Sequence, residues 1–215
     1  ITDVGALTPI SVLSASYQAP AAVPEEFNLS IVALLENNTS PAVCRVRLLP
    51  DGGIGVIDDG QTRGLVGSVY SLAPNTPRLP DLSLLTSILE ILTPNLSIPT
   101  RAFSDGFPGV PDLFEWFAIR FRGRLVVPAE GSYQFRLNSD DGSILYLDGA
   151  LVIDNDGTHA PRARDATITL TAGNHDFMLD YFQGPRYHIA LELFWRGPGE
   201  SSLSIIPPDN FLRPN

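Results

Sequence analysis

From Phe114 to the end, this chain is a succession of short runs in which apolar and polar residues alternate, punctuated by Gly, Asn and Asp. A period of two is the signature of a strand with one face buried and one face wet. Phe117, Ile119 and Phe121 fall on one side of the run 117–127, and Arg120, Arg122 and Arg124 on the other. Residues 133–137 repeat the pattern. Residues 143–147 and 151–153 flank Asp148-Gly149, a pair that predicts a two-residue type I′ hairpin turn. Residues 167–171 and 176–182 flank Gly173-Asn174, and residues 189–195 follow. Many short strands joined by tight turns cannot build an α/β fold, because parallel strands need long helical crossovers. The chain is therefore read as all-β, an antiparallel jelly-roll-like sandwich or barrel.

Upstream the signal changes. Residues 1–26 are rich in Ala, Pro and Ser, with Pro9, Pro20 and Pro24, and read as a linker or loose arm. Residues 27–35 and 42–49 read as strands, Asp51-Gly52-Gly53 as a turn, 54–57 as a third short strand, and Asp58-Asp59-Gly60 as its end. Residues 65–72 predict another strand. Leu82, Leu85, Ile88, Leu89 and Leu92 then recur at helical spacing, with Asp81 able to cap and Pro94 to stop. They predict one short helix packed over an end of the sheet. Residues 100–113 read as a long irregular loop. The division expected is an N-terminal extension over 1–60 and a β domain over 61–215.

The formal net charge is −10, and all 14 basic residues are arginine. Nucleic-acid surfaces need clustered cationic side chains, so that class of partner is disfavoured. The lysine-free composition suggests a high-GC bacterial genome. One cysteine, Cys44, precludes an internal disulfide and reads as a small strand hydrophobe rather than a reactive thiol. No apolar run approaches the ~20 residues of a membrane helix. No signal-peptide pattern opens the sequence, which reads as a mature or trimmed chain.

Asp140 and Asp141 are adjacent, lie between two strands, and precede Gly142. Neighbouring carboxylates repel unless a cation or several N–H donors sit between them, and calcium favours such oxygen-rich loops. Asp-Asp-Gly is also an ordinary turn sequence, with Asp accepting backbone N–H bonds and Gly142 at positive φ. Asp154-Asn155-Asp156-Gly157 spaces carboxylates like the start of a calcium loop but lacks the distant bidentate Glu, and reads as a turn. His159, His175 and His188 are isolated and read as hydrogen-bonding residues rather than zinc ligands. Trp116 and Trp195 read as core. Enzyme motifs with a nucleophile elbow, phosphate loop or dinucleotide fingerprint are missing from the sequence. A glycosidase needs opposed carboxylates across a cleft, not adjacent ones. The chain is read as a non-enzyme.

Seven ordered motifs carry a resemblance: Gly-Ser-Tyr-Gln-Phe-Arg-Leu (131–137), Ser-Asp-Asp-Gly-Ser (139–143), Leu-Tyr-Leu-Asp-Gly (145–149), Val-Ile-Asp-Asn-Asp-Gly-Thr-His (152–159), Leu-Thr-Ala-Gly-Asn-His (170–175), Asp-Tyr-Phe-Gln-Gly-Pro (180–185) and Leu-Glu-Leu-Phe-Trp (191–195). Together they resemble the protective-antigen-type (PA-fourteen) β-barrel family over about residues 62–212. In sugar-binding members of that family, paired aspartates joined by a cis peptide hold a calcium ion that binds sugar hydroxyls directly. The resemblance implies that Asp140 and Asp141 are this pair. It further implies that the Gln183 side chain and the carbonyls of Pro185 and Tyr187 complete the metal shell. Yeast members carry Asn where this chain has Gln183. Asp140, Arg186 and Tyr187 are the expected ligand contacts, with Tyr offering a flat face and Arg donating to hydroxyls.

The function expected is a calcium-dependent carbohydrate-binding lectin or adhesin module of a secreted, surface or periplasmic protein. Its ligand would be an extracellular carbohydrate, with other extracellular proteins as further partners. The alternative is a non-catalytic structural or protein-interaction module. A pore-forming toxin fragment, as in the family's founding member, lacks support because no amphipathic insertion stretch is evident.

Overall fold

The computed structural model describes the backbone of residues 6–11, 14–18, 27–33 and 42–48, together with residues 63–110 and 112–214 in full. It divides into two compact units, Ile1–Gln61 and Thr62–Asn215. In the first unit, β1 (Ala6–Ser11) and β2 (Ser14–Gln18) form one antiparallel pair, and β3 (Phe27–Ala33) and β4 (Ala42–Leu48) another. Part of the stretch read as a linker is thus paired strand. The turns and strand expected over 51–60 lie outside the described residues.

The second unit is a two-sheet sandwich. Its strands are β5 (Leu65–Ser71), β6 (Leu89–Thr93), β7 (Ser97–Ala102), β8 (Phe117–Val127), β9 (Gly131–Asp140), β10 (Ser143–Leu147), β11 (Ala150–Asn155), β12 (Arg162–Leu170), β13 (Gly173–Gln183), β14 (His188–Arg196), β15 (Ser204–Ile205) and β16 (Phe211–Leu212). One sheet runs β11-β10-β13-β8-β5-β6, with β16 also on β8; the other runs β12-β9-β14-β15, with β7 also on β14. All pairings are antiparallel. The sheets remain two layers rather than closing into a barrel.

The alternation read from the sequence is what fills the core. Phe117, Ile119, Phe121, Leu145, Leu179 and Tyr181 are fully buried, as are Phe135, Leu137 and Leu191, with Tyr133 and Leu193 1% exposed. Trp195, buried as expected, packs on Tyr133 at a centroid distance of 5.4 Å. Asp148 (φ 50°) and Gly149 (φ 75°) make the predicted hairpin turn between β10 and β11. Arg120, Arg122 and Arg124 do point away from this core, but Arg120 is not simply solvated. It donates from Nε and Nη2 to both carboxylate oxygens of Asp180, at 2.7 Å each.

One expected element did not form. Residues 81–92 are not a helix: Leu82–Leu84 make one 3-10 turn, and Leu89–Thr93 become β6 on the edge of the larger sheet. Asp81 does cap, accepting from the Ser83 N–H and hydroxyl, but it caps a single turn. Only Leu82 of that turn is buried; it joins Tyr70, Leu72, Ala118 and Phe182 on the outer face of the sheet, with Trp116 half-buried against them. Leu85 and Ile88 are exposed. The cross-strand hydrogen bonds and burial of Ile91 outweigh the weak local helical preference. The loop expected over 100–113 is also shorter, because β7 occupies 97–102.

Candidate functional site

The functional end of the sandwich follows from its connectivity. β9 belongs to the smaller sheet and β10 to the larger, so Asp140-Asp141-Gly142 is a crossing between layers. So are the connections β7–β8 (103–116), β11–β12 (156–161) and β13–β14 (184–187). The strand registers place all four at the same end: Gln183 faces Phe117, His188 faces Ala102, and Ser143 faces both Asn155 and Tyr181.

The Asp140–Asp141 peptide is cis. Asp140 is 2% and Asp141 3% exposed. Asp141 links two neighbouring crossings: its Oδ1 accepts the His159 N–H at 2.9 Å and its Oδ2 the Gly184 N–H at 2.7 Å. Asp140 has no such support, and its Oδ2 is buried without a hydrogen-bond partner. Burial, then the adjacent Asp141 charge, pushes the Asp140 carboxyl up to about 7. Burial also raises Asp141, against the two N–H bonds and His159, which hold it down. Among the described residues neither carboxylate has an arginine or histidine ion-pair partner. Gly142 is required by close approach and not by a positive φ. A Cβ there would lie 2.7 Å from the Phe182 ring and 2.8 Å from Asp156 Oδ1.

Gln183 is fully buried beside the pair. Its Oε1 accepts from the Tyr181 hydroxyl at 2.5 Å, and that hydroxyl also lies 2.7 Å from the Asp140 carbonyl. Its Nε2 donates to the His188 carbonyl at 2.9 Å and the Pro185 carbonyl at 3.4 Å. The Pro185 carbonyl also accepts the Tyr187 N–H at 3.0 Å, and the Tyr187 carbonyl the Phe103 N–H at 3.4 Å. On the rim, the Tyr187 side chain is 72% exposed. Arg186 is held by Glu115 at 2.8 Å and lies over the Phe103 ring at 5.9 Å.

The donor set fits a hard divalent cation. Two buried, adjacent carboxylates with one orphaned oxygen lack a counter-charge among the described residues, and burial of such a pair without one is costly. No third Asp, Glu, His or Cys joins them among the described residues. Amide and carbonyl oxygens and ligand or water oxygens would have to complete the shell, which is calcium chemistry rather than zinc chemistry. The turn expected over Asp154–Gly157 is placed differently: Asp154 and Asn155 end β11, and Asp156 and Gly157 (φ 105°) open the connection to β12, with the Asp156 N–H donating to Asp154 Oδ1. His159 and His175 are both hydrogen-bonded to oxygens.

Sequence reasoning missed the buried polar network behind the pair. Ser139 and Ser143 hydroxyls are 2.7 Å apart, Asn155 donates to Ser139 and to the Arg162 carbonyl, and Arg162 Nε donates back to Asn155 Oδ1. The available signal was polar residues, Ser139, Ser143 and Asn155, at inward-facing positions of otherwise apolar runs.

Comparison with known proteins adds family and fold. The PA14 domain model matches residues 67–209. The PA14 sugar-binding domain from an RTX adhesin is 18% identical with a TM-score of 0.58, covering 71% of this chain and 99% of its own. The epithelial adhesin 9 A domain from Candida glabrata, in complex with Galβ1-3GlcNAc, is 12% identical with a TM-score of 0.52, over 74% of this chain and 93% of its own. An anti-sigma factor domain-containing protein is 22% identical with a TM-score of 0.56, over 72% of this chain but 48% of its own; this chain spans about half of that protein. No curated protein matches the chain.

Proposed function

The chain belongs to the PA14 domain family, and we propose that its Thr62–Asn215 unit is a calcium-dependent carbohydrate-binding module of a secreted or surface protein, bacterial in origin. The observation that carries the reading is the buried Asp140–Asp141 pair with its unpartnered Asp140 oxygen. The likeness to the sugar-binding domain of an RTX adhesin and to an adhesin domain in complex with Galβ1-3GlcNAc supports it.

Asp140 and Asp141 would hold the ion, with Gln183 Oε1 and the Pro185 and Tyr187 carbonyls as the remaining protein oxygens. The bound ion supplies positive charge and open positions for vicinal sugar hydroxyls. The chain's own part is orientation. The His159 and Gly184 N–H groups fix Asp141. The Tyr181 hydroxyl fixes the start of the crossing at the Asp140 carbonyl. Arg186, fixed by Glu115 over Phe103, presents donors to hydroxyls, and exposed Tyr187 a flat face. The two carboxylates share one site and cannot flank a glycosidic bond, so the site is for binding and not hydrolysis.

The test is glycan-array binding with calcium and with a chelator, for the wild type and Asp141→Ala. Calcium-dependent binding that the variant loses supports the proposal, and equal binding by both proteins refutes it. A second reading, a protein-interaction module, is favoured by the separate Ile1–Gln61 unit. Partner capture that survives the chelator would select it.

A further inference from the structure

Asp156 is a carboxylate that the ion site does not use, yet its side chain is only 9% exposed. Its Oδ1 accepts the Leu79 N–H at 3.0 Å and the Gly157 N–H at 2.7 Å. Leu79 belongs to the strap between β5 and β6, which packs on Tyr70 and Phe182 through Leu82. The same oxygen lies against Gly142, where a Cβ would come within 2.8 Å of it. Asp156 therefore touches the Asp-Asp-Gly crossing on one side and the strap on another. From the far side Arg162 Nη2 donates to the Asp156 carbonyl at 3.2 Å. Three residues further on, the same loop delivers the His159 N–H to Asp141. The Thr158 hydroxyl adds a weaker tie to the Pro77 carbonyl at 3.4 Å.

We infer that Asp156 is a positioning residue for the Asp140–Asp141 site: by accepting the Leu79 N–H above Gly142 it pins the 156–159 loop, and so keeps the His159 N–H on Asp141. The Oδ2 atom faces Arg78 at 3.6 Å, and Arg78 is 71% exposed, so that ion pair contributes little. What matters is the acceptor oxygen and not the charge. Removing it frees the half-buried Leu79 N–H and loosens the loop, while Gly184, on a different crossing, keeps its hydrogen bond to Asp141.

The consequence for calcium rests on the function proposed above, but the geometry does not. The experiment therefore measures both. Amide hydrogen exchange at His159 and Gly184 is followed without calcium, and calcium is then titrated, for the wild type, Asp156→Ala and Asp156→Asn. In Asp156→Ala, exchange at His159 is expected to rise about five- to tenfold, as for loss of one hydrogen bond, with Gly184 unchanged. The calcium midpoint is expected to move to higher concentration by a similar factor. Asp156→Asn keeps the acceptor and is expected to match the wild type in both readouts. Unchanged exchange at His159 in the alanine variant overturns the inference, as does an asparagine variant that opens His159 as far as alanine does. Selective opening of His159 in a protein that shows no calcium response would uphold the positioning role and sink the calcium reading instead.

Discussion

Asp140→Asn should make the ion-free protein less sensitive to pH. The Asp140 carboxyl sits at about 7 in the folded protein, against an ordinary 3.8. Between those values the native state holds a proton that the unfolded chain has released, so stability falls as pH rises. The sign is opposite to that of a salt-bridged aspartate. The displacement, at about 1.4 kcal/mol per tenfold, sets an upper bound of about 4 kcal/mol. The effective dielectric even at buried sites is nearer ~20 than ~4, which brings the expected loss to about 1–2 kcal/mol. For a unit of about 150 residues each kcal/mol moves the midpoint by roughly 2–4 °C. Both tryptophans, Trp116 and Trp195, lie in this unit, so fluorescence-detected thermal unfolding reports it directly. With a chelator present, the wild type should lose several degrees more than Asp140→Asn between pH 4.5 and 8. The difference between the two proteins cancels the titrating groups that do not couple to Asp140, and the pH-independent cost of the new amide; the coupled Asp141 stays within the effect measured. Calcium at 100 times its dissociation constant should restore about 2.7 kcal/mol to the wild type at pH 8 and nothing to the variant. Parallel pH profiles for the two proteins would refute the reasoning, because Asp140 would then not be the group that burial holds protonated.

Gly142→Ala should weaken calcium binding more than it weakens the fold, since its Cβ would displace Asp156 or the Phe182 ring at the crossing; isothermal titration beside a melting curve separates the two effects. Tyr181→Phe should cost about 1–3 kcal/mol by removing the one hydroxyl proton that buried Gln183 Oε1 and the Asp140 carbonyl share; a denaturant midpoint indistinguishable from the wild type would contradict this. At the opposite end, burial lowers the His175 pKa but is outweighed by the hydrogen bonds to Asp148 and the Thr171 carbonyl, for a net rise above 6.5. That clasp should be fully present below pH 6.5 and lost as pH rises through the folded value. Asp148→Asn should flatten this part of the stability profile, and an unchanged slope would count against the pairing.

Strand existence was legible because a half-buried strand must alternate. The run 117–127 and the Asp148-Gly149 turn could be placed to the residue, since a two-residue I′ turn needs positive φ at both positions. Residues 81–92 were not legible. Leucines at helical spacing say that burial is wanted, but an open sheet edge beside β5 offered Ile91 more than a helix could. At the site, the adjacent aspartates stood out as neighbouring carboxylates in a loop, and the 183–187 loop was expected only through the family resemblance. The sequence could not show that Asp140 is left without a donor while Asp141 receives two, nor that Asp156 reaches across to Leu79. These facts depend on which crossings meet in space. Local sequence determines where a strand runs and turns. Which strands share a layer decides which connections converge, and here four crossings from distant parts of the chain close on one end of the sandwich. The carboxylates were written in the sequence; their burial with no ion-pair partner among the described residues is a product of tertiary packing.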